Sequence, residues 1–108
     1  MTEVSKMRLN RSLADPKTQK ENLQIFFKVI AGLKNTKEVK QFFEEFLTPA
    51  ERRMLSQRIG IARLLFQGKS YNEIANKLKV SHSTIGRVNR WLKYGAGGYR
   101  LILRHLLK

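Results

Sequence analysis

The sequence predicts an all-α protein of about six helices, and three of its features support this class. Apolar residues recur at spacings of three and four along most of the chain, which is the spacing of one face of an α-helix. The alternating patterns typical of strands are absent from the sequence. Short polar residues, two of them followed by proline, stand where helices would begin, because their side chains accept free N–H groups there.

The length of 108 residues fits one domain, since domains commonly contain ~100 to 200 residues. Residues 1-14 include Lys6, Arg8 and Arg11 and show weak periodicity. We expect them to form a flexible basic N-terminal arm, and a frayed terminus without a role is the alternative. Residues 15-108 are predicted to form a single helical domain.

The first two predicted helices carry more apolar surface than a small chain can cover by itself. Asp15-Pro16 marks the start of a helix that should run from Pro16 to about Leu33. After Asn35-Thr36, a short helix should follow to Leu47. Their apolar faces contain Leu23, Ile25, Phe26, Phe27, Val29, Ile30, Val39, Phe42, Phe43 and Phe46. A chain of this size buries only about two thirds of its unfolded surface, so we expect a homodimer.

The third helix has the best-marked start in the sequence. Thr48-Pro49-Ala50-Glu51 is a capping box with proline at the first helical position. In this motif the threonine oxygen accepts the backbone N–H of Glu51, and the glutamate accepts the N–H of Thr48. The apolar spacing continues through Phe66 to Gly68, which suits the left-handed conformation that often follows a helix.

Residues 71-93 are predicted to form a helix-turn-helix. Its apolar positions lie inward on two crossed helices, namely Ile74, Ala75 and Leu78 on the first, Val80 in the turn, and Ile85, Val88 and Leu92 on the second. Ala75 should face the second helix where the two cross, because a small side chain lets the backbones approach. Lys79 stands where glycine is common, so we expect a turn conformation that tolerates a side chain. Ser81 should cap a second helix over His82 to Lys93.

The last predicted helix begins after the break at Gly95-Ala96-Gly97-Gly98. It is too apolar to stand alone, and we expect it to dock across a subunit interface. Its polar residues, Arg100, Arg104 and His105, are expected to form its solvated face.

The charge of the chain points to a nucleic acid as its partner, and together with the helix-turn-helix it predicts double-stranded DNA. Lys and Arg number 22 against 8 Asp and Glu, which leaves a formal charge of +14. Residues 50–108 contain 13 of the basic and 2 of the acidic residues, a net charge of +11. Repulsion between so many positive charges is tolerated most readily when the partner is a polyanion.

Candidate DNA-contacting residues follow from the inward positions of the second helix-turn-helix helix. The outward side should face the major groove and provide the base-reading residues His82, Ser83, Thr84, Gly86, Arg87 and Arg90. Arg87 is best placed for a bidentate contact to guanine, and Gly86 should allow close approach to DNA. Phosphate contacts are expected from Lys69, Ser70, Tyr71, Asn72, Ser81 and Lys93.

Other classes of function find little support in the sequence. Cysteine is absent and the two histidines are far apart, so no catalytic residue, metal site or cofactor is predicted, and we do not expect an enzyme. No apolar run reaches the ~18 residues of a membrane span, and the N-terminus lacks a secretory signal. We therefore expect a cytoplasmic protein without a membrane partner.

Several motifs make the sequence similar to a known family. LTPAER, Arg58 downstream of it, QG before the helix-turn-helix, and STIGR resemble the tryptophan repressor superfamily. RVNRWLKYGAGGY and SYNEIA resemble the YerC/YecD-type branch more than the repressor itself, and this similarity covers nearly all of residues 20–108. The resemblance implies an intertwined helical dimer with two reading heads in successive major grooves.

The resemblance also implies a ligand pocket. The two arginines that sandwich the corepressor tryptophan match Arg58 and Arg87, and Leu47 and Thr48 match the pocket rim. In the repressor a glycine stands at the position of Val88 and a serine at that of Trp91, and both differences argue against tryptophan binding. Trp91 is expected to fill the space of the ligand ring and leave Arg58 to a carboxylate or carbonyl partner. Whether another small-molecule corepressor binds stays open.

The sequence thus predicts a sequence-specific transcriptional regulator, acting as a repressor. It should bind a near-palindromic operator as a dimer and without tryptophan as corepressor. Two alternatives stay open, a tryptophan-responsive repressor and a non-specific or architectural nucleic-acid-binding protein. For the second alternative, the charge of +14 alone would suffice.

Overall fold

The computed structural model describes residues 13–107, and this part of the chain contains six α-helices and no strand. The helices are α1 Pro16–Gly32, α2 Thr36–Phe46, α3 Pro49–Phe66, α4 Tyr71–Leu78, α5 His82–Tyr94 and α6 Gly98–His105. The all-α prediction is confirmed, and the predicted boundaries agree to within a residue or two. Most of the predicted N-terminal arm, residues 1–12, lies outside the described residues.

The chain divides into two compact units, residues 1–43 and 44–108. In the first unit α1 begins at Asp15, whose carboxylate accepts the backbone N–H of Thr18 at 2.8 Å. Asn35 starts α2 in the same way and accepts the N–H of Glu38 at 2.9 Å. These caps satisfy N–H groups that the helices themselves leave free. Much of the apolar surface of α1 stays exposed, at Leu23, Ile25, Phe27 and Val29.

The second unit has a small apolar core drawn from four helices. The buried residues are Ile61 and Ala62 on α3, Ile74 on α4, Ile85 and Val88 on α5, and Leu103 on α6. None of them is more than 1% exposed. Complete burial of an aliphatic side chain of this size contributes about 1.5–3 kcal/mol, so these contacts fix how the last three helices pack on α3.

Helix α3 begins and ends as predicted. Glu51 donates its backbone N–H to the Thr48 hydroxyl oxygen at 3.1 Å, and the Glu51 carboxylate accepts the Thr48 N–H at 2.9 Å. The helix stops at Phe66, and Gly68 follows with φ of +82°, a conformation that glycine adopts at little cost. A reversal of the chain at this point leads into α4.

One side of helix α6 packs on its own chain, whereas Leu101 and Leu106 stay exposed, so its docking across a subunit interface stays a prediction. Leu103 is buried in the core, and Tyr99, Ile102 and Leu107 pack around it. Arg100, which is predicted only on the solvated face of this helix, also donates hydrogen bonds to α5. Its Nε donates to the Leu92 carbonyl at 2.9 Å, and a second guanidinium N–H donates to the Lys93 carbonyl. Arg100 thereby satisfies free carbonyls at the C-terminal end of α5.

Candidate nucleic-acid interface

Helices α4 and α5, with the turn between them, form the predicted helix-turn-helix, and we call residues 71–94 the reading head. Lys79 in the turn has φ of 56° and ψ of 50°, the left-handed conformation that glycine favours. The expectation of a turn that tolerates a side chain is therefore wrong. The left-handed region costs an L-residue roughly 1–2 kcal/mol. Packing of the two helices must offset this cost, and it therefore imposes the conformation on Lys79.

Both helices of the reading head begin with a side-chain cap. Ser81 accepts the backbone N–H of Thr84 at 3.1 Å, as predicted. Ser70 and Glu73 form a second capping box, with both hydrogen bonds at 3.1 Å. These bonds lower the pKa of the Glu73 carboxyl, with the Ser70 backbone N–H the largest cause. This second box is absent from the sequence predictions, although its S-x-x-E pattern is a signal that could have revealed it.

The buried side of α5 determines which residues it presents to solvent. Ile85 is 0% and Val88 is 1% exposed, so these two residues hold α5 against the core. On the side turned away from them, four of the predicted base-reading residues are exposed, namely His82, Ser83, Arg87 and Arg90. Thr84 is half-buried, and its hydroxyl lies 2.9 Å from that of Ser81. Thr84 therefore belongs partly to the cap of the helix.

Tyr71 lies against α5, and its position changes the account of Gly86. Its ring meets the His82 ring edge-on, with 5.8 Å between centroids and 88° between planes. Its hydroxyl accepts a hydrogen bond from the Asn89 side-chain amide at 3.1 Å. Gly86 is half-buried and lies between these contacts, where a Cβ would be 3.9 Å from the Tyr71 hydroxyl. The fully outward placement of Gly86 is thus wrong, and Asn89 is a contact residue that the sequence pattern does not reveal.

The predicted phosphate-contacting residues surround the starts of α4 and α5 or follow along α5. Tyr71 is half-buried, and the others are exposed, namely Lys69, Ser70, Asn72, Ser81 and Lys93. The hydroxyl oxygens of Ser70 and Ser81 accept cap hydrogen bonds, and both side chains are exposed. The geometry therefore places one hydroxyl at the start of each helix of the reading head.

A cleft beside α5 contains Arg58 of the predicted ligand pocket. The Arg58 guanidinium carbon lies 5.7 Å from the centroid of the Trp91 ring. The Trp91 and Tyr99 rings are stacked at 6.4 Å with 12° between their planes. Burial raises the pKa of the Tyr99 phenol, and the Arg58 charge partly opposes this shift. The cleft has a volume of about 470 Å³ and is lined by Leu55, Arg58, Ile59, Trp91, Gly95, Ala96, Gly98, Tyr99 and Ile102.

The four predicted pocket residues are not gathered in this cleft. Arg58 lines it, whereas Arg87 is exposed on α5. The Thr48 side chain belongs to the capping box of α3, and the Leu47 carbonyl accepts an N–H of Arg52 at 3.1 Å. The group that faces the Arg58 guanidinium is the Trp91 ring, in place of the expected carboxylate or carbonyl.

Residues 13–107 contain neither a metal-binding cluster nor a membrane-spanning helix. No three side chains of histidine, aspartate or glutamate in this range come close enough to hold a metal ion. Over the same residues, no helix has the length and apolar character needed to cross a membrane.

Comparison with known proteins assigns the chain to a family. The family model described as Trp repressor protein matches residues 21–107, which include every helix from α2 to α6 and most of α1. The chain belongs to the Trp repressor family. It is also 36% identical over 87 residues to the uncharacterized protein YerC of Bacillus subtilis (strain 168), a match that covers 81% of this chain and 84% of YerC. The predicted resemblance to the YerC-type branch is thereby confirmed.

Two crystal structures share the fold. A TrpR-like protein from Eubacterium eligens ATCC 27750 has a TM-score of 0.75 and 38% identity, and the match covers 83% of this chain and 94% of that one. A candidate Trp repressor from Staphylococcus aureus has a TM-score of 0.77 and 34% identity, with coverages of 89% and 96%. Proteins of the Trp repressor family are DNA-binding transcription regulators that act as dimers, and they are not enzymes. Membership of this family makes the chain a DNA-binding transcription regulator.

Proposed function

We propose that the chain is a sequence-specific transcriptional repressor that binds a near-palindromic operator as a homodimer, without tryptophan as corepressor. The observation that carries the proposal is the exposed side of α5. Ile85 and Val88 are buried on one side of this helix, and Arg87 and Arg90 are exposed on the other. A short basic helix held in this way has the form of a recognition helix that enters the major groove.

Residues near the start of α5 read the bases in this proposal. His82 and Ser83 lie in its first turn and Arg87 in its second, so they reach furthest into a groove entered by the N-terminal end of the helix. Arg87 donates two hydrogen bonds to guanine, a contact worth about 1–3 kcal/mol of discrimination. Thr84, Gly86 and Arg90 complete this surface. Because Gly86 has no side chain, it leaves room for the DNA to approach the helix closely.

The phosphate contacts set the register of the reading head on DNA. Lys69, Asn72 and Lys93 supply cationic or amide donors, and the hydroxyl groups of Ser70, Tyr71 and Ser81 supply neutral ones. Only the lysines and arginines displace condensed counterions, so they determine how strongly binding depends on salt. Charged and neutral contacts can therefore be separated by measuring affinity as a function of salt concentration.

A homodimer is supported by the apolar surface that the described residues leave exposed. In the second unit this surface includes Phe46, Met54, Leu55, Phe66, Leu101 and Leu106, each more than 40% exposed. Large exposed apolar surfaces mark interaction sites. Two reading heads related by a two-fold axis would contact half-sites one DNA turn apart, about 34–36 Å from centre to centre.

Independence from tryptophan is supported by the cleft that contains Arg58. The Arg58 guanidinium carbon already lies over the Trp91 ring, and Trp91 is stacked on Tyr99. An added indole that stacked on Arg58 from this side would have to displace the Trp91 ring. Val88 is buried in the core and leaves no room where the repressor has glycine. The contact between Arg58 and Trp91 supports the proposal that an aromatic side chain of the protein takes the place of the corepressor.

Two other functions lead to different results in one experiment. A general nucleic-acid-binding protein is favoured by the charge of +14, and a tryptophan-responsive repressor by the presence of Arg58 and Arg87. Selection of bound duplexes from a random DNA pool, with and without L-tryptophan at near-physiological salt, separates the three. We expect the same two-fold motif in both conditions. A motif that appears only with tryptophan supports the responsive repressor, and no enrichment supports the general binder.

A further inference from the structure

Tyr71 makes two specific contacts that span the first two turns of the recognition helix. Its ring meets His82 edge-on at one end, and its hydroxyl accepts the Asn89 amide N–H at the other. His82, Gly86 and Asn89 are spaced by four and three residues, so they lie in one row along α5. The row faces the first residue of α4, and a side chain at position 86 larger than alanine would push against Tyr71.

The direction of the hydrogen bond determines where the phenolic proton of Tyr71 points. An amide NH₂ group is a donor only, so the Tyr71 oxygen is the acceptor in its contact with Asn89. The hydroxyl proton of Tyr71 is then left to donate to a further group. Lys69, Ser70 and Asn72, the residues beside Tyr71 at this end of α4, are all exposed, so that group can come from outside the protein.

We infer that Tyr71 and Asn89 form a positioning pair, in which Asn89 orients the Tyr71 hydroxyl to donate to a DNA phosphate and the Tyr71 ring holds His82 in place. The inference rests on the proposed function and adds Asn89 to the residues on which it depends. Asn89 acts through Tyr71 and does not contact DNA. Tyr71 couples a phosphate contact to the start of α5, where the base-reading residues lie.

The competing role for this pair is purely structural, as a clasp between α4 and α5. A clasp would contribute to the thermal stability of the reading head and would affect operator and random DNA only through unfolding. A positioning pair weakens DNA binding in a protein that stays folded. Because tyrosine is neutral, loss of its phosphate contact should also leave the salt dependence unchanged.

The test measures affinity for the selected operator duplex at several salt concentrations with Tyr71→Phe, Asn89→Leu and the double variant. Tyr71→Phe keeps the ring on His82 and removes the hydroxyl, and we expect a loss of about tenfold or more, the range for a hydrogen bond to a charged group. Asn89→Leu should lose a similar factor. The double variant should bind no more weakly than Tyr71→Phe, because the two changes remove one contact.

Lys69→Ala is the matched control for a charged contact. It should reduce the slope of log affinity against log salt by about 0.9 per subunit, or about 1.8 for the homodimer, whereas the slopes of the tyrosine and asparagine variants should equal that of the wild-type protein. Thermal melting of each variant shows that it is folded. The ring contact is tested without DNA by the NMR shift of the His82 ring protons, which should move in Tyr71→Leu and stay in Tyr71→Phe.

Three results would overturn the inference. If Tyr71→Phe and Asn89→Leu bind the operator as the wild-type protein does, the proposed function stands and the pair has no part in it. If their losses add in the double variant, the two residues act separately. If the wild-type protein itself does not prefer the operator to random DNA, the proposed function fails and the phosphate contact fails with it.

Discussion

The Arg58 guanidinium lies over the Trp91 ring, 5.7 Å from its centroid, and Trp91 is stacked on Tyr99. This arrangement joins α3, which carries Arg58, to the C-terminal part of α5 and to α6. Cation–π contacts of this kind contribute about 0.5–1 kcal/mol at partly exposed sites. The arginine that the family resemblance assigns to a ligand is thus in contact with an aromatic side chain of the protein.

The first prediction concerns this contact. Calorimetric titration of the wild-type protein with L-tryptophan should show no binding, and L-tryptophan should not change affinity for the operator. Arg58→Ala should lower the free energy of unfolding by about 1 kcal/mol, because the ring contact and the packing of the aliphatic stem are both lost. Arg53→Ala, at an exposed position on the same helix, is the matched control and should change it little. Saturable tryptophan binding would contradict this account of the cleft.

A second prediction follows from the left-handed conformation of Lys79. Lys79→Gly should raise the free energy of unfolding by about 1 kcal/mol, because relief of the Cβ strain exceeds the entropy cost of glycine. At equal protein concentration the Tm should rise by roughly 4–8 °C for a domain near this size. Asn76→Gly, at an exposed position of α4, should have the opposite effect, since glycine within a helix costs up to about 1 kcal/mol. Destabilisation by both variants would show that Lys79 is not strained.

Acid should destabilise the protein through its capping boxes. Hydrogen bonds from the backbone and side chains of Thr48 and Ser70 hold the pKa values of Glu51 and Glu73 below their ordinary value of 4.5. When folding lowers the pKa of a carboxyl, the ionised carboxylate stabilises the folded protein. This stabilisation is present above the pKa of the unfolded state and is lost as the pH falls through the pKa of the folded state. Thermal melts between about pH 7 and about pH 3, a range that spans the ordinary titration of glutamate, should show this loss.

The matched variant for the acid prediction is Glu51→Gln with Glu73→Gln. Glutamine can accept the same backbone N–H but does not titrate, so part of the pH dependence below about pH 5, the upper edge of glutamate titration, should disappear. If the double variant loses stability with acid as steeply as the wild-type protein, the two carboxylates are not the cause.

A fourth prediction tests the crossing of α4 and α5. Ala75 is half-buried and packs against the core of the second unit. Ala75→Leu should overpack this position and lower the free energy of unfolding by about 1–3 kcal/mol. Asn76→Leu adds a leucine to the exposed neighbouring position and should change stability by much less. Equal stability of the two variants would show that the helices do not require a small residue at position 75.

Local patterns predict the helices well, because caps and apolar spacing involve residues within a few positions of each other. The caps at Thr48–Glu51 and Ser81 are predicted correctly for this reason. Two of the failures involve contacts distant along the chain. Asn89 bonds Tyr71 across 18 positions, and Arg100 reaches the Leu92 carbonyl across eight. Nothing in the neighbourhood of either residue in the sequence indicates its partner.

Lys79 shows a different limit of prediction from sequence. A side chain at a turn position favours an ordinary conformation when only the residue is considered. Packing of Ile74 and Ile85 into one core fixes the path of the chain between them, and Lys79 takes the conformation that this path requires. Similarly, the apolar pattern of α6 shows that one side must be buried but not which chain covers it. Leu103 is covered within its own subunit.

The measurement that tests the central claim most directly compares Arg87→Ala and Arg104→Ala for binding to the selected operator and to random duplex at fixed salt. Both variants remove one exposed arginine, from α5 and from α6 respectively. Arg87→Ala should weaken operator binding by about 1–3 kcal/mol per half-site and random binding far less, so that the preference for the operator largely disappears. Arg104→Ala should keep that preference. A wild-type preference in Arg87→Ala would contradict the claim that α5 reads the DNA sequence through Arg87.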